Sequence, residues 1–139
     1  MKVPIAQPFR WSVRVYYEDT DAAGIVYYAN YLKFLERART EWLATLGFAL
    51  TALESEHHAV FVVHRLEIEY RQPARLGDAL EVTMALVEHG RSRVVAAQDV
   101  LRGGELLAQA RVTLALLDRR TWRLMRIPAP LQACMETGA

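Results

Sequence analysis

The densest group of chemically capable residues is Glu18-Asp19-Thr20-Asp21-Ala22-Ala23-Gly24, with three carboxylates inside four positions. Like charges this close disfavour one another unless a ligand, a donor or a reaction uses them. Three uses fit the spacing. The first is helix capping, because an apolar helical pattern begins a few residues on, and Asp and Thr are favoured near helix N-termini. The second is a calcium loop. Asp19, Asp21 and Gly24 take its first, third and sixth positions, but Ala23 stands at the fifth and Asn30 at the twelfth. Without the bidentate glutamate at the twelfth position that reading fails. The third is catalysis. A carboxylate facing a helix N-terminus is favoured in its ionised form, beside backbone N–H groups able to hold an oxyanion. Base or nucleophile and oxyanion site would then share one local unit.

Other chemistries lack their residues. Cys134 is the single cysteine, so neither a disulfide framework nor a Cys-based zinc cluster is available. His57-His58 is an adjacent pair whose side chains point differently, a poor donor set for one metal. His64 falls on an apolar strand face and is expected to be a satisfied buried histidine. No Gly-x-Ser-x-Gly elbow and no Gly-rich phosphate loop occurs. Glu36 with Arg39, and Arg37 with Glu41, have helical pairing intervals and are expected to be solvated or interface pairs. Arg119, Arg120, Arg123 and Arg126 read as a solvated basic edge. Seventeen basic against sixteen acidic groups, a net of +1, gives no global field for nucleic acid or anionic membrane. No apolar run approaches the ~18 residues of a membrane span. Met1 to Pro8 has no apolar core of a signal peptide. A cytoplasmic location is expected.

The elements that must position the acidic loop follow from periodicity. Phe9 to Tyr17 alternates as a half-buried strand until its end. From about Tyr28 to Leu46, apolar residues recur at three and four, which predicts one long amphipathic helix of ~18 residues, or ~27 Å. Gly47 supplies its stop. Thr51-Ala52-Leu53-Glu54 has capping-box spacing and can open a second, short helix. Strands follow. One long strand places Val60, Val62, His64, Leu66, Ile68 and Tyr70 on one face, with Phe61 and Val63 on the other. Further strands run through Leu80 to Leu86, Val94 to Val100 and Leu106 to Leu116. Gly103-Gly104 marks a hairpin. A last short strand is expected over Trp122 to Ile127, before Pro128, Pro130 and a short tail. With no linker or repeat, residues 1–139 read as one α+β domain: a largely antiparallel sheet of five or six strands and one long helix. Phe61 and Val63, facing away from that helix, are expected to meet another subunit.

At this point the loop and the helix carry a resemblance. Tyr16-Tyr17-Glu18-Asp19-Thr20-Asp21-Ala22-Ala23-Gly24-Ile25-Val26-Tyr27-Tyr28-Ala29-Asn30-Tyr31, with the stretch from Val15 through Leu43 around it, resembles the signature of hot-dog-fold acyl-CoA thioesterases. The branch is the 4-hydroxybenzoyl-CoA thioesterase family, most closely the Tol–Pal-associated acyl-CoA thioesterases. Weaker likeness continues through Glu69 to Asp78 and the last strands. The resemblance implies a curved antiparallel sheet wrapped around the long helix. It implies Asp21 as the catalytic carboxylate, acting as nucleophile or general base. It implies the backbone N–H of Tyr28 as the polariser of the thioester carbonyl. Gly24, Ile25 and Val26 would line the substrate, and Arg91 and Arg93 would hold CoA phosphates. No metal or cofactor is implied beyond CoA as part of the substrate, with acyl carrier protein as an alternative thioester carrier. A homodimer at least, and a homotetramer by pairing of dimers, is expected. Many Tol–Pal-associated relatives have His at position 28, whereas Tyr occurs there in the hydroxybenzoyl branch, which bears on acyl preference. A hot-dog dehydratase or hydratase, and a non-catalytic carrier-protein-binding module, are the rival readings.

Overall fold

Val13 and Val15 point into the core, and the alternation around them makes Phe9–Arg14 the first strand, β1. The computed structural model describes residues 7–137. The targeting expectation for Met1 to Pro8 falls on residues 1–6, outside the described ones. β1 stops three residues before the alternation does, because Tyr17–Asp19 coils into a 3-10 turn. The predicted long helix also begins later than its periodicity. Tyr28–Asn30 is a 3-10 turn, and the α-helix α1 runs Tyr31–Thr45. Its buried stripe is Tyr31, Phe34, Leu35, Ala38, Trp42 and Leu43. Its end is a Schellman closure. Phe48 N–H donates to Leu43 O at 3.0 Å, Gly47 N–H donates to Ala44 O at 3.0 Å, and Gly47 sits at φ +87°.

The second helix, α2, spans Leu50–His57 with Ala49 at its N-cap and no side-chain cap, so the capping box expected from Thr51 and Glu54 does not form. Four strands follow: β2 Ala59–Tyr70, β3 Ala79–His89, β4 Arg93–Arg102 and β5 Glu105–Asp118. All pairings are antiparallel, in the order β1-β3-β4-β5-β2. Gly103 and Gly104, at φ +56° and +85°, turn β4 into β5, and positive φ at both central residues is what a tight hairpin requires. Among the described residues the sheet has five strands. Trp122 to Ile127 contributes only an isolated bridge, Leu117 to Leu124, so the sixth strand does not form. The expected tail is instead a helix, α3, Ala129–Glu136, which buries Leu131 and Met135 and has a proline in its first turn.

One register shift redraws the sheet's faces. β2 pairs with β5 so that Phe61 faces Leu116 and Val63 faces Leu114, both core residues; after an irregularity between Val63 and Arg65, Leu66 faces Val112, Ile68 faces Ala110 and Tyr70 faces Ala108. The inward set is therefore odd-numbered before His64 and even-numbered after it. A bulge adds one residue and flips the alternation. Phe61 and Val63 accordingly point towards α1, not away from it, although Val63 remains half exposed. They line an apolar cavity of about 180 Å³ beside the C-terminal half of α1. His64, at the bulge, is exposed rather than buried.

Two helical pairs also resolve differently. Arg39 donates to Gln98 Oε1 at 3.1 Å, and Glu36 accepts from Thr40 at 3.4 Å. Arg37 lies over the Phe34 ring at 5.9 Å. Gln98 is 1% exposed on an otherwise apolar strand face. Its Nε2 donates to Leu35 O at 3.0 Å and Thr83 O at 3.1 Å, so it ties α1 to the sheet. Burial pushes the Arg39 guanidinium down from its usual value, and Glu36 opposes that shift.

Candidate active site

The acidic loop is a backbone-bonded unit rather than an open stretch. Thr20 bridges Val26, and Ile25 bridges Arg75. Asp21 N–H donates to Ile25 O at 2.9 Å, Gly24 N–H returns to Asp21 O at 3.0 Å, and Gly24 takes φ +79°. Val26 N–H donates to Ala74 O at 2.9 Å, which lays the loop along residues 74–78. These bonds put the Asp21 side chain at the exposed tip, where Oδ1 accepts Ala23 N–H at 2.8 Å. A carboxylate has lone pairs to spare beyond that one bond.

Asp19 does a different job. It is 6% exposed, its Oδ2 accepts Tyr16 N–H at 2.8 Å, and its carbonyl accepts both Tyr27 N–H and Asn30 Nδ2, each at 2.9 Å. Asp19 thus fastens the loop to the start of the helix, a capping role of the kind its cluster allows. Tyr28 opens the 3-10 turn that feeds α1. At this first position a helix leaves its N–H without an intrahelical acceptor. Asp21 and Tyr28 thus lie on one continuous segment, the bonded loop and the 3-10 turn that follows it.

Beside that turn lies a groove of about 350 Å³ lined by Ile25, Val26, Tyr28, Tyr31, Tyr70 and Pro73, among others. Ile25 and Val26 are where a substrate-lining role was expected; Gly24 sits on the turn next to them. Tyr31 and Tyr70 were not singled out from sequence. Tyr31 is at the helical position following the turn, and its hydroxyl accepts Ala74 N–H at 3.0 Å. The alternation already sets Tyr70 on the face opposite Phe61 and Val63, but nothing in the chain marks it as reaching the turn at Tyr28. Burial pushes the Tyr70 hydroxyl up from its ordinary value, and the neighbouring Tyr31 and Tyr28 add to the shift. Tyr27 is raised as well, by its hydrogen bond with Tyr28 and by that ring's charge. Both remain proton donors at neutral pH.

Arg91 and Arg93 lie elsewhere. They flank the β3–β4 hairpin and are exposed. Asp78, just before β3, accepts Val15 N–H at 2.9 Å near the acidic loop, while the hairpin follows His89 at the strand's other end. Ten steps along a strand are roughly 33 Å. One subunit therefore does not bring Arg91 to Asp21. The hairpin is instead tied to the C-terminal segment, where Ile127 N–H donates to Arg91 O at 2.8 Å. That sets the exposed Arg126 beside it. Among the described residues, no three His, Cys, Asp or Glu side chains are grouped so as to hold a metal ion.

Comparison with known proteins agrees with this architecture. The chain is 43% identical over 126 residues to the acyl-CoA thioester hydrolase YbgC of Escherichia coli O6:H1, covering 90% of this chain and 93% of that protein. It is 41% identical over 128 residues to the acyl-CoA thioesterase YbgC of Haemophilus influenzae, covering 92% and 94%. The crystal structure of a probable thioesterase from Bartonella henselae superposes with a TM-score of 0.84 at 34% identity, over 87% of this chain and 99% of that one. The five-stranded antiparallel sheet packed on α1 is the hot-dog architecture of these thioesterases. A family model matches residues 15–134, and by that match and these relatives the chain belongs to the thioesterase-like superfamily.

Proposed function

We infer that the chain is an acyl-CoA thioesterase, which hydrolyses acyl-CoA to the free acid and CoA. The observation that carries the reading is the loop itself: an exposed carboxylate, Asp21, on a loop fixed by backbone bonds, with the turn at Tyr28 following it in the chain. Its chemistry suits a thioester. Asp21 either attacks the carbonyl carbon, giving an anhydride that water opens, or takes a proton from the water that attacks. On both routes the carbonyl oxygen gains charge, and the Tyr28 N–H, with the helix dipole behind it, would hold that oxyanion. The intermediate collapses with expulsion of the CoA thiolate. A thiolate leaves readily, so the step asks for no metal, cofactor or strong acid. CoA enters only as part of the substrate. Acyl carrier protein is the alternative carrier of the same thioester.

Gly24, Ile25 and Val26 would border the acyl group, with the tyrosine groove beyond them. Arg91 and Arg93 would hold CoA phosphates for a site on a neighbouring subunit, since their own site is a strand length away. This favours a homodimer at least, and a homotetramer by pairing of dimers. Support also comes from β2, a 12-residue edge strand, whose open backbone side favours pairing. No helix among the described residues is long and apolar enough to cross a membrane, and a cytoplasmic setting fits the free thiol of Cys134.

The rival hydratase reading requires a histidine at the loop. The four histidines stand at 57, 58, 64 and 89, at the end of α2, in β2 and at the far end of β3. The test is a panel of acyl-CoA and enoyl-CoA substrates in the presence of a chelator. Release of free thiol at catalytic rates is expected. Hydration of enoyl-CoA without thiol release would overturn the reading.

A further inference from the structure

We propose that Tyr70 is a positioning residue of this site: its hydroxyl fixes the turn that presents the Tyr28 N–H. The proposal rests on the reading of that N–H as the oxyanion donor. A backbone donor has no rotamer, so only the dihedrals on either side of it can aim it. On the upstream side, Asp19 O holds Tyr27 N–H at 2.9 Å. On the downstream side, Tyr28 O accepts the Tyr70 hydroxyl at 2.7 Å. The two anchors bracket residue 28.

Tyr70 reaches this turn from the last position of β2, 42 residues along the chain. Its ring lies edge-on to Tyr28 at 6.4 Å and to Tyr31 at 5.2 Å, which sets the hydroxyl by packing as well as by its bond. The bulge at His64 is what makes the contact possible. Phe61 and Val63 face the core; continued alternation would send every even residue, Tyr70 included, to the outer face. The extra residue reverses this and delivers Tyr70 to the groove. A bulge that re-aims a side chain next to an active site is a functional device rather than a defect.

A positioning role predicts a distinct kinetic signature. Tyr70→Phe keeps the ring and the groove but frees the Tyr28 carbonyl. Contacts to the bound substrate persist, while the donor is no longer held where the oxyanion forms. The loss should fall on kcat and leave KM unchanged. Removing an oxyanion donor outright costs ~10²–10³-fold in kcat, so loosening one should cost less, about tenfold.

The experiment measures steady-state acyl-CoA hydrolysis and melting temperature for Tyr70→Phe and Tyr70→Leu, with Asp21→Asn in parallel. Amide NMR of Ala29, the next peptide after the Tyr28 carbonyl, reports the hydrogen bond directly. The expected result for Tyr70→Phe is about a tenfold fall in kcat, an unchanged KM, a wild-type melting temperature and a shifted Ala29 amide. Tyr70→Leu, which loses the ring too, should fall further. Wild-type kcat in Tyr70→Phe overturns the proposal. So does a rise in KM alone, which would make Tyr70 a substrate contact, or an Ala29 amide that does not move. If Asp21→Asn is inactive while Tyr70→Phe is normal, only this proposal falls. If Asp21→Asn turns over normally, the site reading falls with it.

Discussion

Asp19 and Asp21 are two residues apart and have the same side chain, yet their surroundings separate their roles. Asp19 is buried and bonded, and Asp21 sits at an exposed tip. An amide oxygen can still accept Tyr16 N–H, so Asp19→Asn keeps the loop's anchor. Its kcat should stay within about threefold of wild type, since no charge at the reacting centre is lost. Steady-state hydrolysis checks this, and a collapse in kcat at normal folding would place Asp19 in the chemistry. The sequence shows three carboxylates crowded together, but not which one is buried. That depends on the bonds from Tyr27 and Asn30 to the Asp19 carbonyl, which no spacing rule contains. Gln98 teaches the same lesson. It lies in the alternation with Val94, Ala96 and Val100, and only the facing Leu35 and Thr83 carbonyls explain a polar residue there.

At the scale of elements, α1 and the later strands are legible because their periods are long and clean. The misses have physical causes. The bulge in β2 is silent because Val60-Phe61-Val62-Val63 is apolar on both faces, so nothing marks which face is core. Helix α3 hides behind Pro128 and Pro130, although proline is tolerated in a first turn and Leu131 and Met135 keep helical spacing. One polar clip bears on the site from below. Arg102 donates to Asp78 Oδ2 at 2.7 Å, to Glu105 at 2.8 Å and to Pro73 O at 3.2 Å, while Arg75 N–H donates to the same Asp78 oxygen at 2.8 Å. This ties the 73–78 segment, on which the acidic loop lies, to the β4–β5 hairpin. Burial by itself would raise the Asp78 carboxyl. The Arg102 hydrogen bond, the Arg75 N–H and the two guanidinium charges outweigh it and hold the carboxyl below its usual value. A carboxyl lowered in the folded state stabilises above its unfolded value of about 4, and that contribution fades as pH falls through the folded value. Asp78→Asn should therefore lower the urea midpoint at neutral pH, and the gap to wild type should close on acidification below about pH 4. A gap that stays constant across that range would contradict the ion-pair account.

At the scale of the whole molecule, the acidic loop and the Arg91 hairpin stand at opposite ends of β3. CoA phosphates held by Arg91 would belong to a site on another subunit. Such contacts are exposed and screened by salt, so Arg91→Ala should raise KM several-fold, leave kcat near wild type, and lose its effect at high ionic strength. Kinetics at two salt concentrations, with light scattering under assay conditions, check both halves. A fully active monomer would remove the shared site, and a kcat loss at unchanged KM would move Arg91 into the chemistry. The overall architecture and the loop were legible in the chain, because both are local patterns. The face-to-face arrangement of subunits is not written in any local pattern. The bulge between Val63 and Arg65 alters only which face Phe61 and Val63 take.

The most direct test of the account is acyl-CoA hydrolysis by Asp21→Asn. The amide is nearly isosteric and its oxygen can still accept Ala23 N–H, so the loop should persist while base and nucleophile are lost. The predicted result is a fall in kcat of ~10²–10⁴-fold, the range for a positioned base, with KM and melting temperature close to wild type. Wild-type turnover by a folded Asp21→Asn would contradict it.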